Sequence, residues 1–225
     1  MFRSALSLLA LAIAAVVVAA PAGAADVSFS GFAHGSQTVS VTLSGPNAPI
    51  THKTVSAGGF STALNGGPSF ESYCVDLYQT IAFAAPPYTE YTGPETTHVF
   101  TNANAYVDLG RLFATAGLVN TAIEEAAFQI AVWEIAYETT DTPYSLSSGA
   151  ATFASGSAAS SGALTLAGSW LASLTNGGHP AISVLDSRLH QDVIFAPVPE
   201  PSTVLLMVAG LLGLGFVGSR RRAEL

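Results

Sequence analysis

Residues 121–138 read TAIEEAAFQIAVWEIAYE, and this stretch decides the fold class. Thr121 followed three residues later by Glu124 has the form of a capping box, with Asn120 or Thr121 able to cap the helix. The spacing predicts a helix running to about Glu138, before Pro143 forces the chain out of helical geometry. Ala126, Gln129, Trp133 and Ala136 recur at three- and four-residue spacings, so Gln129 lies beside Trp133 on a largely apolar stripe. A polar amide in the middle of such a stripe calls for an explanation.

Moving outward, residues 103–116 suit a second helix stopped by Gly117. Upstream of residue 100 the period changes to two. Val27–Ser30 and Thr38–Leu43 alternate as strands, with turns expected at Ser44–Asn47 and Gly58–Gly59. Gly66–Pro68 introduces an aromatic and β-branched run, Phe70–Ile81, expected to be one long strand. Ser72, Cys74, Asp76 and Tyr78 would then share one face and Tyr73, Val75 and Leu77 the other. Downstream, Ser145–Ser161 is rich in Ser, Ala and Gly and reads as a loop or linker. Leu164–Leu174 suits a short helix, and Ala181–Leu185 and Asp192–Phe195 suit closing strands. The expectation is α+β: a single exported domain over residues 26–197, with a β-rich N-terminal part and a helical insert.

The flanks of that domain read as addresses. Arg3, the apolar run Ala5–Ala20 and the small-residue site Ala22-Gly23-Ala24 have the form of a secretory signal peptide over residues 1–25. At the other end, Val198-Pro199-Glu200-Pro201 precedes an apolar run, Thr203–Gly218, and the cluster Arg220-Arg221-Arg222. That run spans about 24 Å as a helix, short for a bilayer core, and the arginines would hold its end on the cytoplasmic side.

Of 225 residues only 10% are charged, with seven basic and fifteen acidic side chains. Within residues 26–197 the basic residues are Lys53, Arg111 and Arg188 against thirteen acids, a formal charge of −10. Such a surface repels phosphate backbones and excludes nucleic-acid binding. A single cysteine, Cys74, excludes an internal disulfide framework.

The order Pro-Glu-Pro, short apolar helix, arginine cluster resembles the PEP-CTERM sorting domain, also called the ice-binding protein C-terminal domain, over residues 198–225. The resemblance implies an exosortase as partner and membrane contact through residues 203–218. It further implies passage through the inner membrane of a Gram-negative, exopolysaccharide-making bacterium to the cell surface, matrix or biofilm. It implies nothing about ice, because the middle of the chain lacks the Thr-rich arrays of an ice-binding face.

Two interior segments, Ser72-Tyr73-Cys74-Val75-Asp76-Leu77 and Ala127-Phe128-Gln129-Ile130-Ala131-Val132-Trp133-Glu134-Ile135, resemble the two signatures of bacterial surface thioester domains. The resemblance implies an internal thioester, with sulfur from Cys74 and acyl carbon from Gln129, set among Tyr73, Asp76, Phe128 and Trp133. A surface or matrix amine or hydroxyl, on protein or polysaccharide, would then open it once. That is covalent capture rather than enzymatic turnover.

The residues alone leave two other readings open. Cys74 and Gln129 are equally at home as core residues, which would make the protein a non-covalent component of an extracellular polysaccharide matrix. A secreted hydrolase would need a catalytic pair. None of His34, His52, His98, His179 and His190 sits in a nucleophile or zinc motif, and Glu71, Asp76, Glu124, Glu125, Glu134 and Glu138 read as solvated charge. The expectation is therefore no metal, no cofactor and no catalytic residue.

Overall fold

The computed structural model describes residues 23–44, 51–83, 88–139, 143–174 and 178–197. Their order is β1 (Gly23–Ala25), β2 (Val27–Phe32), β3 (Gln37–Leu43), β4 (Thr51–Ala57), β5 (Phe60–Leu64), β6 (Ser69–Cys74), β7 (Tyr88–Thr92), α1 (Ala105–Ala116), α2 (Ala122–Tyr137), β8 (Ala151–Ser155), α3 (Ala158–Ala172), β9 (Ser183–Asp186) and β10 (Val193–Phe195). A 3-10 segment, Gly93–Val99, follows β7. The fold is mixed α/β with a β-rich N-terminal region.

Alternation builds the small sheet, β4-β3-β8. Val39, Val41 and Leu43 of β3 point inward and are buried, in register with Phe153 and Ala151 of β8. The larger antiparallel sheet runs β1-β7-β9-β10-β6-β5-β2. Its interior strand β6 is flanked by β5 and by the closing strand β10, with Cys74 opposite Val193. Both sheets pack on α2, which also contacts α1 and α3.

That placement corrects the expectation of an apolar stripe. Every residue of α2 from Glu125 to Ala136 is buried. The segment has no polar face to turn to solvent, so it is enclosed on all sides. Thr121 caps it as expected, accepting from the Glu124 backbone N–H at 3.3 Å. Gly117 ends α1 with φ at 66°, a left-handed value that suits glycine.

Two other expectations change. The strand predicted over Phe70–Ile81 ends at Cys74, and Ser72–Val75 are buried on both faces. Asp76 breaks it, its Oδ1 accepting from the Tyr78 N–H at 2.6 Å in a tight local turn. Ser145–Ser161 is not one loop: it contains β8 and the capped start of α3, where Ser157 and Ser160 form a reciprocal capping box. The strand escapes a compositional reading because Ala151 and Phe153 gain their burial from β3, more than a hundred residues upstream.

β1 pairs with Tyr88–Glu90 of β7, so Gly23–Ala25, assigned to the signal peptide, lie in the sheet. Among the described residues no helix is long and apolar enough to cross a membrane. The predicted apolar runs Ala5–Ala20 and Thr203–Gly218, the Val198–Pro201 motif and Arg220–Arg222 lie outside the described residues.

Candidate functional site

β6 brings Cys74 to the middle of α2. In an antiparallel ladder a residue's N–H and C=O point to the same neighbour, and the side alternates along the strand. Ser72 faces β5, where it pairs with Phe60, the first residue of that strand. Cys74, two residues on, also faces that side but lies beyond the end of β5. Its main chain is completed by a side chain instead. The Cys74 N–H donates to Gln129 Oε1 at 2.9 Å, and Gln129 Nε2 donates to the Cys74 carbonyl at 2.7 Å. The carboxamide thus substitutes for a peptide group of the missing strand partner, which explains a polar residue in the centre of α2.

Both residues are buried, Cys74 at 4% and Gln129 at 1% exposure. Burial pushes the Cys74 thiol well above its ordinary range, and the nearby Asp76 carboxylate pushes it in the same direction. The sulfur is therefore protonated at rest and shielded from bulk water.

The remaining residues expected around the pair divide into two groups, because consecutive strand residues face opposite ways. Trp133 lies with Cys74 on a cavity of about 350 Å³, together with Lys53, Phe60, Gln79 and Gln191. Asp76 stands at its edge: the Gln191 side-chain amide donates to its carbonyl, and its Oδ1 receives the Tyr137 hydroxyl at 3.4 Å. Tyr73 and Phe128 point away, their rings tilted against each other at 4.3 Å between centroids. They line a second cavity of about 720 Å³, with Phe113, His34 and Glu71.

The second cavity holds a cluster that the sequence reading missed. His34 Nδ1 lies 2.8 Å from Glu125 Oε1 and 3.2 Å from Glu71 Oε1. The other Glu125 oxygen accepts from the Gly59 N–H at 2.9 Å, and the Tyr73 hydroxyl donates to Glu71 Oε2 at 3.4 Å. The three ligand-capable atoms lie within 4.8 Å of one another, so these side chains have the donor types a divalent cation takes. No local spacing signals the group, since His34 lies in the loop between β2 and β3, Glu71 on β6 and Glu125 on α2. The hydrogen bond to Glu125 raises the His34 pKa. Burial, then the Glu125 charge, raises that of Glu71.

The reading of the α2 carboxylates as solvated is likewise corrected. Glu125, Glu134 and Glu138 are buried and each accepts a backbone N–H from a neighbouring segment: Gly59, Ser145 at 2.7 Å, and Ala150 at 3.2 Å. Together with Gln129 they staple incoming chain to α2 from opposite sides: Glu125 and Gln129, four residues apart, share one face, Glu134 falls on the opposite face, and Glu138 stands at the C-terminal cap. Glu124 alone remains at the surface as a cap, accepting from Thr121 Oγ1 at 2.9 Å. Among the described residues no histidine lines the Cys74 cavity. His52 bonds Thr42, His98 lies near Asp186, and His179 packs on Tyr106.

Compared with known proteins, residues 197–222 match the family model described as the PEP-CTERM protein-sorting motif. No curated protein and no solved structure matches the chain. The matched segment contains Val198-Pro199-Glu200-Pro201 and the arginine cluster, and it marks the chain for exosortase-dependent export and surface sorting.

Proposed function

We propose that this exosortase-sorted chain is a surface capture protein whose folded region attaches covalently to a partner through an internal Cys74–Gln129 thioester, without turnover. The observation that carries the reading is the seating of the Gln129 carboxamide on the Cys74 main chain. An amide is a poor electrophile, so the bond needs enforced proximity; effective molarities of about 10⁵ M or more are available from held geometry. In the closure, the Cys74 sulfur adds to the Gln129 acyl carbon. The Cys74 N–H on Oε1 is placed to stabilise the negative charge that grows there. The C–N bond then breaks, and the nitrogen leaves as ammonia, taking the thiol proton. Burial protects the product from water.

A second reading has its own support. Gln129, like the buried carboxylates Glu125 and Glu134 of α2, accepts a backbone N–H from a neighbouring segment, and both its polar atoms are already paired. In that reading Cys74 and Gln129 are core residues, and the protein is a non-covalent component of the extracellular polysaccharide matrix.

Intact mass of the exported protein, purified without amine buffers and measured with and without methylamine, separates the two. A mass lighter by one ammonia, which gains one methylamine on treatment, supports the thioester. Full mass in both samples overturns it and leaves the structural reading.

A further inference from the structure

Two carboxylates beside the larger cavity face one histidine and no permanent cation. Glu125 is fully buried, at 0% exposure, while His34 and Glu71 are part-exposed and line the cavity. Among the described residues no lysine or arginine forms an ion pair with either carboxylate. Lys53 is held on the Leu77 carbonyl and Arg111 on Asp108. Buried charges are held by pairing or by coordinating a metal, and the one neighbour here able to carry positive charge is a histidine.

The oxygens are arranged as ligand oxygens are. Glu125 Oε1 lies 2.8 Å and Glu71 Oε1 3.2 Å from the same atom, His34 Nδ1. The second oxygen of each is held from outside the trio: Glu125 Oε2 accepts from the Gly59 N–H at 2.9 Å, and Glu71 Oε2 from the Tyr73 hydroxyl at 3.4 Å. One oxygen turned inward and the other fixed by an outer hydrogen bond is how a monodentate carboxylate is oriented at a metal.

We propose that His34 Nδ1, Glu71 Oε1 and Glu125 Oε1 form a binding site for a divalent transition ion, zinc by its donor set. The assignment is independent of the thioester reading. Bonds of about 2.0–2.2 Å in a tetrahedral array put neighbouring ligand atoms about 3.3–3.6 Å apart. The three atoms already lie within 4.8 Å of one another. The remaining adjustment falls on the side chains of His34 and Glu71, 38% and 36% exposed, around a fixed Glu125. A neutral imidazole with two carboxylates carries a charge of −2, which a divalent ion cancels. Calcium and magnesium take shells of oxygen, whereas an imidazole beside carboxylates suits zinc. Three protein ligands leave a fourth position open, and the cavity of about 720 Å³ that His34 and Glu71 line gives a water or small ligand access to it.

The test uses the exported full chain, stripped with EDTA, desalted, and titrated with zinc chloride against a chromophoric chelator. The expected result is one zinc per chain, with calcium failing to compete. His34→Gln and Glu71→Gln, both at part-exposed positions, should each weaken zinc binding about a hundredfold while keeping the wild-type circular dichroism spectrum. His52→Gln, on β4 of the small sheet, should leave the affinity unchanged. Zinc in about hundredfold excess over Kd should raise the unfolding midpoint of the wild type and of neither site variant. Absence of zinc binding by the wild type, equal affinity in wild type and both site variants, or displacement of zinc by equimolar calcium overturns the site. Cobalt(II) gives a reading on the wild type alone: a thiolate charge-transfer band would put the metal on Cys74 and overturn the assignment, and its absence with one cobalt bound supports the nitrogen and oxygen donors.

Discussion

The Gln129 side chain completes the hydrogen-bond ladder of β6 at Cys74, taking the place of a strand that ends one pair too early. Two reciprocal bonds, of 2.9 and 2.7 Å, join a carboxamide in the middle of a helix to the main chain of the lone cysteine. One contact therefore serves both the packing of α2 against the large sheet and any chemistry between the two residues.

Gln129→Leu removes a buried donor and a buried acceptor at once, leaving the Cys74 N–H and C=O unpaired. At about 1–3 kcal/mol for each of the two orphaned groups, chemical denaturation should show a loss of roughly 2–6 kcal/mol. Gln129→Glu keeps the acceptor and should lose less at acidic pH than at neutral pH. Equal stability of Gln129→Leu and wild type would show that the ladder is completed in some other way.

Cys74 in the native protein should resist maleimide, whether it is engaged as a thioester or simply buried. Methylamine treatment should expose a labelling-competent thiol only if a thioester was present. Rapid labelling of untreated native protein would contradict the burial on which both readings depend.

Burial raises the pKa of Glu134 to about 8, and Glu134 Oε2 has no partner among the described residues. Because the folded state holds this proton more tightly than the unfolded chain, the associated stability is complete below about 4.5 and lost as pH rises toward about 8. Asp192, also raised by burial, adds in the same direction. Denaturation at fixed ionic strength should show stability falling by roughly 1.4 kcal/mol per pH unit per group, for Glu134 between about 4.5 and about 8 and for Asp192 between about 3.8 and about 7. Glu134→Gln should flatten the slope.

His34 titrates with the same outward sign for a different reason. Its pKa is raised by the hydrogen bond to Glu125, so the stability from that pairing is present below the ordinary histidine value of 6.5 and lost as pH rises through the raised one. Proton NMR of the His34 ring should report a midpoint above 6.5, and Glu125→Gln should bring it down. An unmoved midpoint in that variant would assign the shift to another group.

Gly59 allows the close approach of β5 to α2. A Cβ built there would collide with the Glu125 carboxylate and lie 2.9 Å from the Tyr73 ring. Gly59→Ala should cost about 1–3 kcal/mol, the usual range for overpacking a filled site. A neutral effect on the melting temperature would mean that Glu125 yields freely.

Neutralising Arg220, Arg221 and Arg222 should misroute the sorting tail, because a cationic cluster after an apolar run is expected to hold its end on the cytoplasmic side. Normal surface delivery of such a variant, read by protease accessibility on whole cells, would argue against that topology.

The features legible in the sequence are those written locally. The sorting motif, the period-two pattern of β2 and β3, the Thr121 cap and the Gly117 stop depend on neighbours within a few residues. The two short signatures imply a covalent bond between Cys74 and Gln129, whereas the contact in the structure is a pair of hydrogen bonds from the Gln129 carboxamide to the Cys74 main chain. What only the tertiary structure decided is where buried polar groups find partners. Glu125, Glu134 and Glu138 read as surface charge until Gly59, Ser145 and Ala150 bring N–H groups to them. β8 reads as a linker until β3 aligns with it, and His34 joins Glu71 and Glu125 only when three elements meet. A helix cap or an alternating strand is stabilised within its own segment. A buried carboxylate or a pleated strand finds its partner in chain that lies far away in sequence, and only folding brings it there.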